Sequence, residues 1–396
     1  MRLAVSFTNL GPYHLARLRA LGSALTARAH ELIVYETAGR ERRYPWARVV
    51  DREPFERITL FPEADLEGLS DASCRGAILR ALAQDRPDAL GIVGYSRPES
   101  MAMLRWARRE GKPTVLMSES QEIDHPRLWW KEAIKRRRVS RFSAALVGGP
   151  QHAEYLTLLG LPAERIAFGY NAVDNDRFAR LARETRCSSE AREGLPSRPY
   201  FLAVNRFVPE KNLPRLVNAF ARYRMQAGAD GWDLVLCGSG PDEAEIRSAI
   251  SASGVASSIH CPGFVQADGL ARWLAHASAF VHPSLSEPWG LVVNEAAVCG
   301  LPLLISERAG CVETLVPEPF GSTGRRFDPT SETDITDGLA WMVGLSESSR
   351  QVMGRRAAEV VSEWGPERFA RGMLEALDHA FDRERRRSLK RTEVAR

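Results

Sequence analysis

The sequence predicts an α/β protein made of two doubly wound lobes, and three observations predict it. Short aliphatic or β-branched runs alternate with helix-length amphipathic segments; the alternation pauses at a polar, arginine-rich stretch and then restarts; and a long amphipathic segment closes the chain. Strands that alternate with helices imply parallel pairing through right-handed crossovers. At 396 residues the chain exceeds one small domain, since domains run to about 100–200 residues.

In the first half, strand candidates are residues 3–7, 32–35, 57–61, 90–94, 114–117, 144–147 and 165–168, with helical stretches at 13–28, 73–84 and 99–110. Glycine and proline mark the switches, as at Gly11 and Pro12, or Gly149 and Pro150. Residues 180–199 (RLARETRCSSEAREGLPSRP) carry no strand pattern and read as a linker. The second set of strands follows at 200–204, 233–237, 258–261, 279–282 and 303–305. In the closing segment, 366–387, Phe369, Met373, Leu377, Ala380 and Phe381 recur at helical spacing. The expected domains are therefore 1–179, a linker 180–199, 200–365, and a final helix with a basic tail, 366–396.

Composition narrows the function classes. Hydrophobic residues make up 44% and charged residues 26%, near the average for globular proteins, which excludes disordered and collagenous readings. The apolar runs fall far short of the ~18 residues that cross a bilayer, and the first residues read as a strand rather than a leader. Six cysteines without a CxxC pair argue against structural zinc or a disulfide framework, so a cytoplasmic location is expected. Net charge is +4, yet residues 383–396 carry +5 of it, leaving −1 elsewhere. Charge gathered in one tail, without interleaved aromatics, disfavours nucleic-acid binding.

In open α/β sheets ligands bind beyond the carboxyl ends of strands, so the post-strand loops of the second lobe carry the chemistry. After 200–204 comes NRFVPEKN, where Arg206 and Lys211 flank a loop-to-helix junction suited to a dianion. The same pattern also suits a solvated charged turn. After 233–237 comes CGSGPD, whose glycines let backbone amides approach a phosphate or ribose; glycine and proline also serve helix entry for local reasons. The third loop, HPSLSEPWGLVVNEAAVCG, sets Glu287 and Glu295 eight residues apart, the first on a loop and the second early in a helix that starts near Gly290.

The series NRFVPEKN, LCGSGP, GFV, SEPWGLVVNEAAVCGLP and AGCVE, in that order, resembles retaining glycosyltransferases of family 4, which have the GT-B fold. The match is clearest over 200–313, weaker over 160–178, and one of layout alone over the first 150 residues. The resemblance implies two Rossmann-like domains facing across a cleft, with the last helix crossing back to the first domain. It implies that Arg206 and Lys211 hold the diphosphate of a nucleoside diphosphate sugar, that Glu295 binds ribose and that Glu287 contacts the transferred sugar. Further donor contacts implied are Gly11, Asn205, Gly238, Gly240, Val265, Pro288, Trp289, Gly290, Leu291 and Val292. His14, Ser120 and His125 are candidates on the acceptor side, with Ser120 or His125 standing where many members carry a histidine.

The implied reaction is metal-independent transfer, with retention, to a hydroxyl of a cell-surface or lipid-linked glycan or a soluble natural product. No cofactor is implied, and no nucleophile is assigned. The alternatives are an epimerase or hydrolase on the same fold and a non-catalytic nucleotide-sugar-binding subunit. Asp174, Asn175 and Asp176 imitate a DxD metal motif, but read as the end of a strand. Trp129 and Trp130, followed by Lys135, Arg136, Arg137, Arg138 and Arg141, suit either peripheral attachment to an anionic membrane at its inner face, or a basic helix face with tryptophans packed inward.

Overall fold

The computed structural model describes residues 1–42, 53–124, 127–188, 190–318 and 320–394. The chain divides into two compact units, Met1–Asp174 with Trp364–Arg396, and Asn175–Glu363. The first alternates β1 (Arg2–Phe7), α1 (Pro12–Thr26), β2 (Glu31–Arg40), β3 (Glu56–Asp65), α2 (Asp71–Asp85), β4 (Ala89–Val93), α3 (Pro98–Glu110), β5 (Thr114–Ser118), α4 (Trp129–Val139), β6 (Ala144–Val147), α5 (Pro150–Leu158) and β7 (Ile166–Phe168). Its seven strands run parallel in the order β3-β2-β1-β4-β5-β6-β7.

Alternation along β1 decides what each sheet face buries. Leu3, Val5 and Phe7 enter one apolar cluster and Ala4 the other, as a period of two requires. The cluster holding Leu3 also takes Leu15, Leu18, Leu21 and Leu25 from α1. It is completed by Phe369, Met373, Ala376, Leu377 and Ala380, which lie on the closing helix, Pro366–Val394. That helix therefore covers the first unit's sheet, and its basic end is held too: Arg383 Nη1 donates to Phe142 O at 2.8 Å, and Ser143 Oγ donates to Glu384 Oε1 at 3.0 Å.

The second unit begins with α6 (Asn175–Arg186) and continues β8 (Tyr200–Val204), α7 (Leu213–Ala227), β9 (Asp233–Cys237), α8 (Glu243–Ala252), β10 (Ile259–Gly263), α9 (Ala267–His276), β11 (Ala279–His282), α10 (Leu291–Val298), β12 (Leu303–Ser306), α11 (Val312–Leu315), β13 (Gly324–Phe327), α12 (Glu332–Gly344) and α13 (Glu347–Val361), after which the closing helix is α14. Six parallel strands lie in the order β10-β9-β8-β11-β12-β13. Successive strands build outward from β8 on one side and from β11 on the other, so the order reverses between β8 and β11. Their carboxyl ends flank the switch point where such sheets take ligands.

Several expectations change. The arginine-rich stretch starts as helix: α6 runs through Arg186, and Phe178 and Ala182 bury its apolar edge. Asp174, Asn175 and Asp176 end no strand, since β7 stops at Phe168 and α6 starts at Asn175; the Asn175 side chain instead donates to Val361 O at 2.9 Å. Strand β13 (GRRF) escaped the sequence pattern because two of its residues are arginines. Arg325 is neutralised by Asp334 at 2.6 Å, and Arg326 donates to Val316 O at 2.5 Å.

Candidate active site

The loops at the second unit's switch point are tied together before any ligand arrives. After β8, Phe207 N donates to Ser239 O at 2.8 Å and Asp242 N to Phe207 O at 3.1 Å, while Gly238 N donates to Gly263 O at 2.9 Å. A Cβ at Gly238 would sit 1.8 Å from Asn205 O, and one at Gly240 2.3 Å from Phe207 O, with φ of +148° and +157°. Both glycines are thus required for backbone to pass against backbone. That role was not separated from phosphate contact at the level of sequence.

Asn212 aims Lys211. It adopts a left-handed backbone (φ 58°) at the start of α7, and its Nδ2 donates to Pro283 O at 3.0 Å and Pro329 O at 2.7 Å. These bonds fasten the loop after β8 to the loop after β11. Lys211 Nζ then reaches Glu287 Oε2 at 2.5 Å, with both side chains nearly buried. Sequence reasoning placed these two residues in one site, and the structure brings them into contact.

His282 and Ser284 complete the cluster. His282 ends β11 fully buried; its Nε2 lies 2.9 Å from Glu287 Oε2 and 3.0 Å from Ser284 Oγ. Burial lowers the imidazole's pKa and the Lys211 charge adds to this, against the opposing pull of Glu287, so the ring is neutral at neutral pH. A neutral ring protonated at Nε2 donates to the carboxylate. Burial alone would raise the Glu287 carboxyl, but the Lys211 ammonium and the His282 hydrogen bond outweigh it and hold the pKa down to about 2. Glu287 is therefore a fixed anion. Neither His282 nor Ser284 was singled out from sequence; the signal was a histidine closing a core strand five residues before Glu287.

The other candidates sit as follows. Arg206 pairs with Glu210 at 3.4 Å, partly exposed. Asn205 is buried, and neither polar atom of its side chain has a hydrogen-bond partner among the described residues. Glu295 lies in α10 and is 1% exposed. Trp289 is core: it is 1% exposed, and its Nε1 donates to Asn294 Oδ1 at 2.9 Å, bracing α10. Gly290 caps α10 with φ 97°, a turn that sets Leu291 and Val292 in its first turn. Pro288 is exposed and Val265 half-buried.

In the first unit, His14 stands in the first turn of α1, and its Nδ1 accepts from Gly11 N at 3.1 Å. That bond occupies the backbone amide of Gly11, one of the donor contacts implied above. It also leaves His14 Nε2 as the protonated nitrogen. Burial, with Arg17 nearby, lowers the imidazole to a pKa of about 3. The loop is steadied by Glu36 in β2, unflagged by sequence, whose Oε1 accepts from Leu10 N at 2.8 Å while Arg57 pairs with Oε2 at 2.9 Å. Ser120 N donates to Ser118 Oγ at 3.3 Å beyond β5. His125 lies outside the described residues.

The family described as "Glycosyl transferases group 1" matches residues 188–360, and "Glycosyltransferase Family 4" matches residues 16–177. A GDP-mannose-dependent alpha-(1-6)-phosphatidylinositol monomannoside mannosyltransferase of Mycobacterium tuberculosis is 29% identical over 211 residues, covering 51% of this chain and 53% of the relative. A D-inositol 3-phosphate glycosyltransferase of Paenarthrobacter aurescens is 28% identical over 296 residues, covering 73% and 70%. The chain thus spans about half the length of the first curated relatives it matches. Among solved structures, sucrose-phosphate synthase from Thermosynechococcus elongatus superposes with a TM-score of 0.74 at 19% identity over 96% of this chain and 99% of that one. The Anabaena protein HepE, solved with UDP and glucose, gives 0.71 at 15% identity over 95% and 99%. Those likenesses show the fold; the two family matches, which together cover most of the sequence, show membership: the chain belongs to the glycosyltransferases of family 4, with the GT-B fold.

Proposed function

We propose that the protein transfers a sugar from a nucleoside diphosphate sugar to a hydroxyl of an acceptor, with retention and without a metal. The observation that carries this reading is the nearly buried Lys211–Glu287 contact, 2.5 Å long, beside the switch point of the second sheet. Breaking the bond between the anomeric carbon and the diphosphate leaves negative charge on the departing oxygen. Fixed cations in a low-dielectric site stabilise that charge more than water does. Lys211 and Arg206 are the cations, the amides of Leu291 and Val292 at the start of α10 add a positive dipole end, and the unpartnered amide of Asn205 is a further donor. The carboxylates of Glu287 and Glu295 take sugar and ribose hydroxyls.

In the net reaction the acceptor oxygen replaces the diphosphate oxygen on the same face of the sugar, and the acceptor's proton leaves with the diphosphate. His14 and Ser120, at the carboxyl edge of the first sheet, are the acceptor-side groups. The names of relatives suggest GDP-mannose and UDP-glucose as the first donors to try, and a cytoplasmic location fits such donors. A thermal-shift screen with UDP-, GDP-, ADP- and dTDP-sugars tests donor binding, because a specific ligand raises the melting temperature by mass action. Diphosphate release with an acceptor panel, and the anomeric configuration of the product, test the rest. Free sugar or an epimer as the sole product points to a hydrolase or epimerase. Donor binding without turnover on any acceptor points to a non-catalytic subunit.

A further inference from the structure

Helix α4 is built inside out. Its inner face is ionic: Glu132 accepts from Lys135 Nζ at 2.8 Å, from Tyr155 OH at 2.8 Å and from Arg127 Nη1 at 3.3 Å, and the Arg127 guanidinium lies 4.3 Å from the Tyr155 ring centre. Val139 is its buried apolar side chain. Its outer side is mostly apolar, with Arg137 among the apolar side chains. Trp129 is 83% exposed, Trp130 47% and Ile134 44%, and the chain leading into the helix adds Ile123 at 58% and Leu128 at 44%. These are five of the thirteen large apolar side chains exposed among the described residues. At about 100° per residue, Trp130, Ala133, Ile134 and Arg137 lie opposite the face that holds Glu132, Lys135 and Val139. The reading in which the tryptophans pack inward is therefore overturned: the inner face is spent on the Glu132 network.

Charge follows the same division. The helix's one acid, Glu132, is consumed by its inner partners, while Lys131, Arg136, Arg137, Arg138 and Arg141 have no acid of the helix left to face them; Glu122 and Asp124 lie in the chain leading in, where Asp124 Oδ2 accepts from Gln121 N at 2.8 Å. Tryptophan with a collar of bases is the composition that settles at the boundary between headgroups and acyl chains.

We propose that α4 docks the protein on an anionic lipid bilayer, its amino-terminal half entering the interface and its bases lying over the headgroups. The helix follows β5, which ends at Ser118, through the loop that carries Ser120, at the carboxyl edge of the first sheet. The acceptor is accordingly a lipid-borne hydroxyl compound presented at that surface. This second part rests on the proposed glycosyl transfer; the docking does not.

Co-sedimentation of the full chain with phosphatidylcholine vesicles, with and without added phosphatidylglycerol, tests the docking directly and needs no turnover. Binding is expected to vesicles containing phosphatidylglycerol, to weaken with salt, and to fall at least tenfold in Trp129→Ala/Trp130→Ala. Lys131→Gln/Arg137→Gln, which leaves the apolar face whole, should lose the preference for phosphatidylglycerol. All these substituted side chains are exposed, so melting temperatures should match wild type. Wild-type chain that stays in the supernatant, or double-tryptophan variants that bind as well as wild type, would overturn the docking. A concentration-dependent dimer abolished by the tryptophan changes would assign the face to a second copy instead. If docking holds and the donor screen fails, the glycosyl-transfer reading falls alone; if transfer proceeds but lipid-borne acceptors are no better used than soluble ones, only the acceptor assignment falls.

Discussion

Replacing Lys211 by methionine isolates what the buried ion pair contributes. The Glu287 carboxyl, ordinarily near 4.5, is held at about 2 in the folded protein, a difference that corresponds to about 3 kcal/mol of folding stability. At 13% exposure little of that is lost to solvent screening. Removing the ammonium leaves a buried carboxylate whose burial cost is no longer offset, so Lys211→Met should cost about 3 kcal/mol at neutral pH, within the range for breaking buried pairs. For a unit of this size that is a fall in melting temperature of about 6–12 °C. The folded pKa is depressed, so the stabilisation is fully present above 4.5 and is lost as pH falls toward 2; the gap between variant and wild type should be much smaller at about pH 3 than at pH 7. Lys211→Met/Glu287→Gln, which removes both charges, should recover part of the loss. Circular-dichroism melts of the three chains at the two pH values suffice, with donor turnover measured alongside; kcat/KM should fall more than tenfold in both variants. A single variant that melts within about 1 kcal/mol of wild type, or a double variant no more stable than the single, would refute the pairing.

Three further outcomes are expected. His282→Phe removes a hydrogen bond that holds Glu287 ionised, so the acid limb of the pH–rate profile should move to higher pH with a several-fold loss of kcat/KM; an unmoved limb would remove His282 from the site. Glu36→Gln leaves the guanidinium of Arg57 without its carboxylate and should destabilise the first unit by about 3 kcal/mol, read in denaturant titrations by the midpoint. Phe369→Ala empties a fully buried position where α14 meets the first sheet and should cost about 3–5 kcal/mol; a loss under 1 kcal/mol would mean that α14 is not part of that core.

The strands that read clearly in the sequence were those with apolar interiors, polar residues standing only at an end, as Asp233 and His282 do. Residues 144–147, 200–204, 233–237 and 279–282 match β6, β8, β9 and β11 to the residue, because strands buried on both faces are continuous apolar runs. Where polar residues enter a strand the pattern breaks. Residues 32–35 proved to be the first half of a ten-residue β2, whose later part contains Glu36. No periodicity announces a buried carboxylate; its place depends on Arg57, Thr59 and Leu10, which arrive from β3 and from the loop after β1.

The site shows the same division between what spacing encodes and what burial decides. The distance along the chain between Lys211 and Glu287 says nothing of their contact; the strand order does, since β8 and β11 are neighbours and the loops that follow them must meet. That much follows from a doubly wound sheet once its two strands are recognised. The environment of Glu287 does not, because one carboxylate on a loop is the same letter whether solvated or enclosed with His282 and Ser284. The tryptophans of α4 make the converse case. A Trp-Trp pair beside a basic run fits a core helix and an interfacial helix equally well, and what separates the two is which face the single Glu132 occupies. By drawing Lys135, Arg127 and Tyr155 to the inner face, that one acid turns the aromatic side outward.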